Sequence, residues 1–394
     1  MLELIIKRKE DNKQIVLVEN GKIIEYYEEG KEDNKNEGNI YIGVVKDIIK
    51  GMQAAFVDIG IGKNSLIHVK DILEKKDEKK EKTEGNQDIS QLIKPNQKIL
   101  VQIKKDSNEK KGARISTHMN LPGKYIVLMP NTDIITVSQK IENPEEQERL
   151  IQLVKENISE GNGAVIRTSA EGKEKEIIED IKHMETKWQK IVKDSQDETQ
   201  KAPRQLYKSE DIVTKMLMDL TEKGLSTVFV NDSVDYNQIN SIKNENKEYK
   251  DLQILVKGEE SIFNMYDLEQ QIEKINNRKI WLKCGGFITI DKTEALTAID
   301  VNTGKYTGNK TMEDTVFKVN KEATIEIAKQ LRLRDIGGII IIDYIDMQEE
   351  QDKKAIEELL KEELKKDRSK TQIEGFTKLD LMEMTRKHIC SHKD

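Results

Sequence analysis

Two apolar runs of this chain end in an aspartate. The first, "ALTAIDVNTG" at residues 295–304, carries Asp300, and the second, "GGIIIIDYID" at residues 337–346, carries Asp343. Alternate residues of a strand share a face, so the side chains of Asp300 and Asn302 point the same way. A carboxylate in a buried strand is costly unless something offsets its charge. We therefore expect a positively charged group or ion close to these two side chains.

Two carboxylates and an amide oxygen that converge on one point suit Mg²⁺. This ion prefers oxygen ligands, keeps several waters and needs only one or two carboxylates from the protein. It also stabilises the charge that develops on a phosphodiester under attack. From the residues alone a second interpretation stays open, in which the aspartates end their strands without a ligand or pair with arginines such as Arg332 and Arg334.

The last third of the chain is predicted to be the layered α/β unit that positions these aspartates. "GGFITID" and "ALTAIDVNTG" are typical of a β-hairpin. A helix capped by Thr311 is predicted to run to about Arg334, because its apolar residues recur at helical spacing. The continuous apolar run before Asp343 is typical of a strand in a sheet covered on both faces, so we expect that strand to be buried.

The preceding residues favour smaller, separate parts. Residues 1–35 are predicted to form strands, and short β-rich runs between Gly and Asn turns then continue to about residue 118. That second pattern is typical of a small antiparallel barrel, interrupted by a charged, solvated insertion at 74–88. From residue 119 the pattern changes to mixed α and β.

The composition limits the class of protein. The 394 residues carry a formal net charge of −7, which argues against an indiscriminate nucleic-acid coat protein but not against local basic patches or an enzyme that meets phosphate through a metal ion. Cys284 and Cys390 form no C-x-x-C pair, which favours a reducing compartment. No apolar stretch approaches the roughly 20 residues that span a bilayer, and the N-terminal run is too short for a signal peptide. We therefore expect a cytoplasmic protein with no membrane partner.

Taken together, these segments resemble the ribonuclease E/G family. The resemblance depends first on "GGFITIDKTEALTAIDVNTGKYTG" and "EIAKQLRLRDIGGIIIIDYIDM", and continues in "GNIYIGVVKDIIKGMQAAFVDIGIGKNSLIHV", "KKGARIST" and "LPGKYIVLMP". It extends to about residue 387, with weaker matching at 173–280. It implies a Mg²⁺-dependent endonuclease specific for single-stranded RNA, whose substrates are mRNA and the precursors of ribosomal and transfer RNA.

The resemblance also implies the fold class, a multidomain α+β and α/β protein. An RNase H-like part would be split between residues 1–35 and 215–278. Two domains would be inserted into it, an OB-fold RNA-binding domain of the ribosomal-protein type at 36–118 and a 5′-end sensor at 119–214. A DNase I-like α/β catalytic part would follow at 279–394.

The resemblance also assigns the catalytic residues of the family to the ends of the two apolar runs. Asp300 and Asp343 match its two metal-binding aspartates, and Asn302 matches the asparagine that helps to position the ion or the scissile phosphate. The resemblance thus implies one catalytic Mg²⁺ per chain and in-line attack by water, which leaves 5′-phosphate and 3′-hydroxyl ends. Only five histidines exist, and no histidine pair for 2′-hydroxyl chemistry is evident.

The RNA-binding residues of the family fall in the predicted barrel. Phe56 lies on a predicted strand, where its ring could stack on an unpaired base or pack in the core, and the residues alone leave both open. The family uses a phenylalanine here for RNA contact, and Lys111 matches its RNA-contacting lysine. Leu66 stands where the family usually has a second aromatic residue.

Four residues of the predicted sensor at 119–214 match the 5′-phosphate pocket of the family. Arg167 supplies a fork for phosphate and Thr168 a hydroxyl donor, although such a pair is more often an ordinary surface feature. Gly123 and Val127 match residues beside that pocket. The resemblance implies a preference for RNA with a 5′-monophosphate.

The C-terminus departs from the family. Relatives usually continue with a C-P-x-C-x-G-x-G segment, and two such segments from paired subunits hold a zinc ion. This chain instead ends with Cys390 flanked by His388 and His392, which are zinc-ligand types in what resembles a frayed terminus. We expect no structural zinc and leave open a homo-oligomer without a zinc link.

The missing cysteine pair supports a second function. The chain could be a non-catalytic RNA-binding protein that kept the barrel and lost its activity. A DNA-directed nuclease on the same fold is a third interpretation. Intact Asp300, Asn302 and Asp343 favour the endonuclease.

Overall fold

A computed structural model gives the fold. It describes residues 1–10, 12–30, 36–72, 88–107, 111–245, 249–258, 261–262, 264–304 and 312–390. The chain divides into two compact units, a first unit of Met1–Asp33 with Ile212–Asp394 and a second unit of Asn34–Asp211. In the described part of the chain, no helix is long and apolar enough to cross a membrane.

The first unit begins with three antiparallel strands. These are β1 (Leu2–Lys9), β2 (Asn12–Glu19) and β3 (Lys22–Gly30). Asn20 and Gly21 join β2 to β3 with φ angles of 51° and 77°, as a two-residue hairpin turn requires.

The second unit begins with the barrel that the sequence predicts. Its elements are β4 (Ile40–Ile49), β5 (Ala54–Asp58), β6 (Ser65–His68), α1 (Ile89–Leu92), β7 (Lys98–Lys105) and β8 (Arg114–Ser116). The strand order β4-β5-β6-β8-β7 closes because β7 also pairs with β4. The predicted small barrel is therefore confirmed, as a closed five-stranded sheet with one parallel pair, β6 and β8.

A four-stranded sheet follows in the second unit. The elements in this stretch are β9 (Leu121–Pro122), β10 (Ile126–Pro130), β11 (Ile135–Val137), α2 (Pro144–Asn157), β12 (Asn162–Ile166), α3 (Lys175–Ser195) and β13 (Arg204–Tyr207). Strands β11-β12-β10-β9 form the sheet, and α2 and α3 share its apolar cluster, whereas β13 pairs with β4 of the barrel. The Asn143 side chain caps α2 by accepting from the Glu145 backbone N–H at 2.9 Å.

The chain then returns to the first unit. The elements that follow are α4 (Ile212–Leu220), β14 (Leu225–Val230), α5 (Ser233–Glu245), β15 (Gln253–Val256) and α6 (Leu268–Ile275). Strand β14 pairs in parallel with β1, which gives a mixed sheet of order β15-β14-β1-β2-β3.

A six-stranded sheet completes the first unit. Its elements are β16 (Lys279–Trp281), β17 (Phe287–Lys292), β18 (Leu296–Asn302), α7 (Met312–Leu333), β19 (Gly338–Asp343), α8 (Glu350–Lys365), β20 (Thr371–Phe376) and β21 (Leu381–Arg386). The order is β16-β17-β18-β19-β21-β20. The predicted hairpin is confirmed as β17 with β18, and the predicted helix is α7; its proposed cap, Thr311, lies outside the described residues.

The prediction that β19 is buried on both faces is wrong. Ile340 and Ile342 are fully buried in the cluster that α7 and α8 cover, whereas Ile339 is 51% exposed. The strand before Asp343 is therefore buried on one face only. Its sequence is apolar throughout because isoleucines also occupy the outer face, where none of the described elements covers them. We call this outer side of the six-stranded sheet the open face. It is the face on which Asp300 and Asp343 lie.

Candidate active site

The register of two parallel strands brings the predicted carboxylates together. Asp300 on β18 and Asp343 on β19 are Cα partners, and both side chains are exposed on the open face. The expectation that these carboxylates are buried is therefore wrong. Their inward neighbours Ile299 and Ile342 pack under the sheet, which leaves the two aspartates side by side towards solvent.

Asn302 completes the predicted group. Its Nδ2 donates to Asp300 Oδ2 at 2.5 Å, as the shared face of alternate residues implies. The bond orients the Asp300 carboxylate and leaves the Asn302 Oδ1 oxygen as a further acceptor. The sequence prediction that these three side chains converge thus agrees with the geometry.

Negative charges act on Asp343, while the Arg278 guanidinium interacts electrostatically with Asp300. Partial burial, and then the negative charges of Asp300 and Asp346, raise the pKa of the Asp343 carboxyl. Like charges held next to each other repel, and a bound cation removes that repulsion. The site therefore has the electrostatics of a cation site.

Neither Arg332 nor Arg334, the arginines named in the alternative interpretation, pairs with the two aspartates. Arg332 donates from Nη1 to the Glu363 carbonyl at 3.1 Å. Arg334 donates from Nε to Gln330 Oε1 at 2.7 Å. Both guanidinium groups are thus engaged on the helical side of the sheet rather than by the two aspartates.

The donor set fits a hard cation that keeps much of its water. Two carboxylates and one amide oxygen are what Mg²⁺ takes from a protein when substrate phosphate supplies the rest. The described residues contain no cluster of three or more His, Cys, Asp or Glu side chains that could hold a metal. A closed structural site is therefore not formed by them, but an open catalytic site on Asp300 and Asp343 needs no third carboxylate.

Asn320 on α7 is a supporting residue that sequence reasoning missed. This fully buried side chain donates from Nδ2 to the Ile345 carbonyl at 2.8 Å and accepts the Ile345 N–H at 3.1 Å. It thereby fixes the backbone two residues after Asp343. The signal was an asparagine on the otherwise apolar face of the predicted helix.

The predicted RNA-binding residues of the barrel lie on its outer side. Phe56 and Leu66 are Cα partners on β5 and β6, and both are half-buried, whereas the adjacent pair Ala55 and Ile67 is buried in the core. The alternative that Phe56 packs in the core is therefore wrong. Leu66 also pairs with Arg114 of β8, a cation that sequence reasoning did not single out.

Lys111 stands at the same edge of the barrel and is exposed. The next residue, Gly112, approaches its neighbour so closely that a Cβ would lie 1.9 Å from the Asn64 carbonyl oxygen. Only glycine fits there, so residues 111–112 lie tightly against the start of β6.

Two of the four predicted 5′-phosphate residues, Arg167 and Gly123, are in contact at the loop between β9 and β10. Arg167 Nη1 donates to the Gly123 carbonyl at 2.8 Å. The Thr168 hydroxyl is exposed and lies 3.0 Å from the Ser138 hydroxyl. Val127 is half-buried on the side of β10 that faces away from the core, beside Val165 of β12.

Asp180 on α3 holds this loop in place, and no pattern in the sequence predicts that role. Its Oδ2 accepts the backbone N–H groups of Tyr125 at 2.8 Å and Ile126 at 3.1 Å. A Cβ on Gly123 would lie 2.5 Å from the same oxygen, which explains the glycine.

The C-terminal segment is packed rather than frayed. Cys390 is 1% exposed within an apolar cluster, and its backbone N–H donates to Asp335 Oδ2 at 2.7 Å. The His388 Nδ1 atom lies 2.8 Å from the Asp335 carbonyl oxygen. His392 lies outside the described residues. A thiol in an apolar core is a poor ligand for an exposed zinc ion.

Comparison with known proteins assigns the family. Residues 120–389 match the model of the ribonuclease E/G family. The chain is 38% identical to ribonuclease G of Salmonella typhimurium strain SL1344 over 98% of its own length and 79% of that protein. It is 33% identical to ribonuclease E of a Nostoc species over 95% of its length and 56% of that protein. These matches confirm the prediction of an endoribonuclease of this kind, and the chain belongs to the ribonuclease E/G family.

Proposed function

We propose that this endoribonuclease hydrolyses single-stranded RNA at Asp300 and Asp343 with the help of Mg²⁺. The observation that carries the proposal is the register of β18 and β19, which sets the two carboxylates side by side on an open face. An open face suits an extended polymer, since a strand can lie across it without entering a cleft. Only the carboxylates and Asn302 need to meet the scissile phosphate.

Three residues would have different roles in the hydrolysis. Asp300 and Asp343 would hold the ion, and Asn302 orients Asp300 through its hydrogen bond of 2.5 Å. Bound Mg²⁺ supplies charge stabilisation on the phosphodiester and lowers the pKa of an attacking water. Attack by that water at phosphorus expels the 3′ oxygen, so the products carry 5′-phosphate and 3′-hydroxyl ends.

Two further surfaces belong to the proposal. Phe56 and Lys111 on the barrel would contact unpaired RNA, with Leu66 giving apolar contact in place of a second ring. Arg167 and Thr168 would bind a 5′-monophosphate beside Gly123, because a guanidinium fork and a hydroxyl are suitable phosphate donors.

The proposal also covers the domains of the chain and its substrates. We infer that 1–35 and 215–278 are RNase H-like, that 36–118 is the OB-fold domain and 119–214 the sensor, and that 279–394 is DNase I-like. The expected substrates are messenger RNA and the precursors of ribosomal and transfer RNA in the cytoplasm. A homo-oligomer without a zinc link is compatible with this assignment.

The test uses a short single-stranded RNA labelled at its 3′ end. It is incubated with the full chain in Mg²⁺ or in EDTA, and with the Asp300→Asn variant in Mg²⁺. Internal cuts that need both the metal and Asp300 would support the proposal. Retained binding without any cuts would replace it with a non-catalytic RNA-binding function, and equal cutting of a matched DNA strand would remove the RNA specificity.

A further inference from the structure

The open face carries an aromatic residue that the proposed mechanism does not use. Trp281 on β16 is 60% exposed, an unusual state for so large an apolar side chain. The other tryptophan, Trp188, is 9% exposed inside the second unit. An exposed indole beside a nucleic-acid-cleaving site is a candidate for base stacking.

Trp281 contacts two neighbouring side chains on the open face. Its ring meets the ring of Phe287 edge to face, with centroids 5.3 Å apart. The Lys279 ammonium lies 4.2 Å from the Trp281 ring centroid and 3.5 Å from that of Phe287. The lysine covers part of the ring surface, and the rest of the indole is exposed to solvent.

The strand register places this aromatic pair next to the candidate site. Trp281 is the Cα partner of Phe287, which is in turn the Cα partner of Asn302. Trp281, Phe287 and Asn302 thus form one row across three strands of the open face. Strands lie about 4.8 Å apart, so the indole starts about 10 Å from the strand that carries Asp300. That separation suits a neighbouring nucleotide rather than the reacting phosphate.

Close packing fixes the β16–β17 turn against β18. A Cβ on Gly286 would lie 2.8 Å from the Asn302 carbonyl oxygen, and a Cβ on Gly304 would lie 2.5 Å from the Gly285 carbonyl oxygen. The Cys284 backbone N–H donates to Glu322 Oε2 of α7 at 2.9 Å. The distance between the aromatic pair and Asn302 is therefore set by backbone contacts.

The charges of the open face favour RNA on this side of the carboxylates. Lys279 supplies a cation next to the rings, where a phosphate would accompany a stacked base. On the other side of the pair, Glu383 of β21 is exposed on the same face and would repel a phosphate. A base on an aromatic ring with a lysine at its phosphate is the usual arrangement for single strands.

We propose that Trp281 stacks on a nucleobase of single-stranded RNA beside the scissile phosphate, while Lys279 contacts the RNA phosphate. This inference rests on the proposed function, because it takes Asp300 and Asp343 as the cleavage site. Phe287 is a positioning residue that holds the indole. Stacking of this kind accepts any base, so it selects unpaired strands rather than a sequence.

The first test measures binding without cleavage. In EDTA, the tryptophan emission of the unaltered chain is compared with that of Trp281→Phe, so that the difference reports on Trp281. A short single-stranded oligouridylate should quench the Trp281 emission, and an abasic ribose-phosphate strand of equal length should not. Equal quenching by both strands, or by neither, would overturn the proposal. A change that follows protein concentration without RNA would also overturn it, since a second copy of the chain would then cover the ring.

The second test measures cleavage in Mg²⁺. Trp281→Ala should increase KM by a factor between about 5 and about 100, with little change in kcat. Trp281→Phe should restore most of the lost affinity. Leu379→Ala, a truncation at a side chain 80% exposed in the β20–β21 turn, is the matched control and should leave KM unchanged. An unchanged KM for Trp281→Ala would overturn the proposal.

The role of Lys279 has its own readout. Lys279→Gln should lower the slope of log binding constant against log salt by about 1, as loss of one phosphate contact predicts. An unchanged slope would contradict the proposed contact between Lys279 and phosphate.

The proposed function and the proposed role of Trp281 can be refuted independently. Absence of any cleavage by the unaltered chain would end the proposed function while the binding test still reports on Trp281.

Discussion

The first unit holds two aspartate pairs that are treated in opposite ways. Asp335 and Asp367 are 1% and 2% exposed, and Arg386 lies between them with N···O distances of 2.8 Å to each. Asp300 and Asp343 lie on the open face with only Asn302 as a hydrogen-bond donor among the described residues. The same side chain thus serves as a closed structural ion pair in one place and as an open acceptor in the other.

The difference between the two aspartate pairs shows what keeps a carboxylate available for a ligand. Asp335 also accepts the backbone N–H groups of Ile389 and Cys390, at 3.0 and 2.7 Å, so its lone pairs are used within the fold. Asp300 and Asp343 are exposed side by side on the open face, and no described arginine donates a hydrogen bond to either carboxylate. A cation can displace water from the open pair, whereas it would have to displace Arg386 from the closed one.

The largest expected effect is on activity at the open pair. Asp343→Asn should reduce cleavage about a thousand-fold or more, because it removes a metal ligand whose contribution is several kcal/mol. It should not lower the free energy of unfolding, since it removes the repulsion between Asp343 and Asp300. Cleavage assays and chemical denaturation of the same preparation would check both parts. A variant that cuts RNA normally would break the assignment of the open pair.

The second effect is on stability at the closed pair. Arg386→Met should lower the free energy of unfolding by about 3–5 kcal/mol, because it leaves Asp335 and Asp367 buried without their cation. Urea denaturation of the full chain, followed by far-ultraviolet circular dichroism, would measure the loss. Adding Asp335→Leu and Asp367→Leu should restore part of it, since no buried charge then remains. If Arg386→Met alone were as stable as the unaltered chain, the contrast between the two pairs would fail.

The sequence predicted the open pair but not how it is exposed. Alternation within β18 correctly placed Asp300 and Asn302 on one face, because side-chain period alone decides that. The four isoleucines before Asp343 do not alternate in polarity, so the pattern could not show that Ile339 is uncovered while Ile340 is buried. Which face α7 and α8 cover is a tertiary fact, and it reversed the expected burial of both aspartates.

The closed pair had no comparable signal. Arg386 and Asp335 are 51 residues apart, and no local pattern links them. Asp180 is likewise 55 residues from the Tyr125 N–H that it accepts. Short-range chemistry, such as the Asn143 cap of α2 or the Asn20–Gly21 turn, can be predicted from neighbours. Long-range polar contacts depend on how the elements pack, which the residue pattern does not contain.

A third charge extends the comparison, the Arg167 guanidinium, which we propose to bind a 5′-phosphate. Arg167→Ala should narrow the preference for 5′-monophosphorylated over 5′-triphosphorylated RNA by about tenfold, the effect of losing one charged hydrogen-bond group. Folding should change little. The ratio of the two cleavage rates measures this directly, with Arg149→Ala, an arginine of α2 that pairs with Glu146, as the control. An unaltered ratio would remove the sensor assignment.

The smallest effect is expected at an ion pair that is exposed instead of buried. Arg278 and Asp291 are 2.5 Å apart with side chains 69% and 46% exposed, so water and salt screen most of their attraction. Arg278→Met should therefore leave the unfolding midpoint almost unchanged, in contrast to Arg386→Met. The hydrogen bond from Arg278 holds the pKa of the Asp291 carboxyl below its ordinary value. A lowered folded pKa contributes stability only above the unfolded value, so any small difference between Arg278→Met and the unaltered chain should be present at neutral pH and disappear as the pH falls below about 4. Denaturation curves at neutral and acidic pH would measure it, and a large loss at neutral pH would mean that exposure does not separate the two kinds of ion pair in this unit.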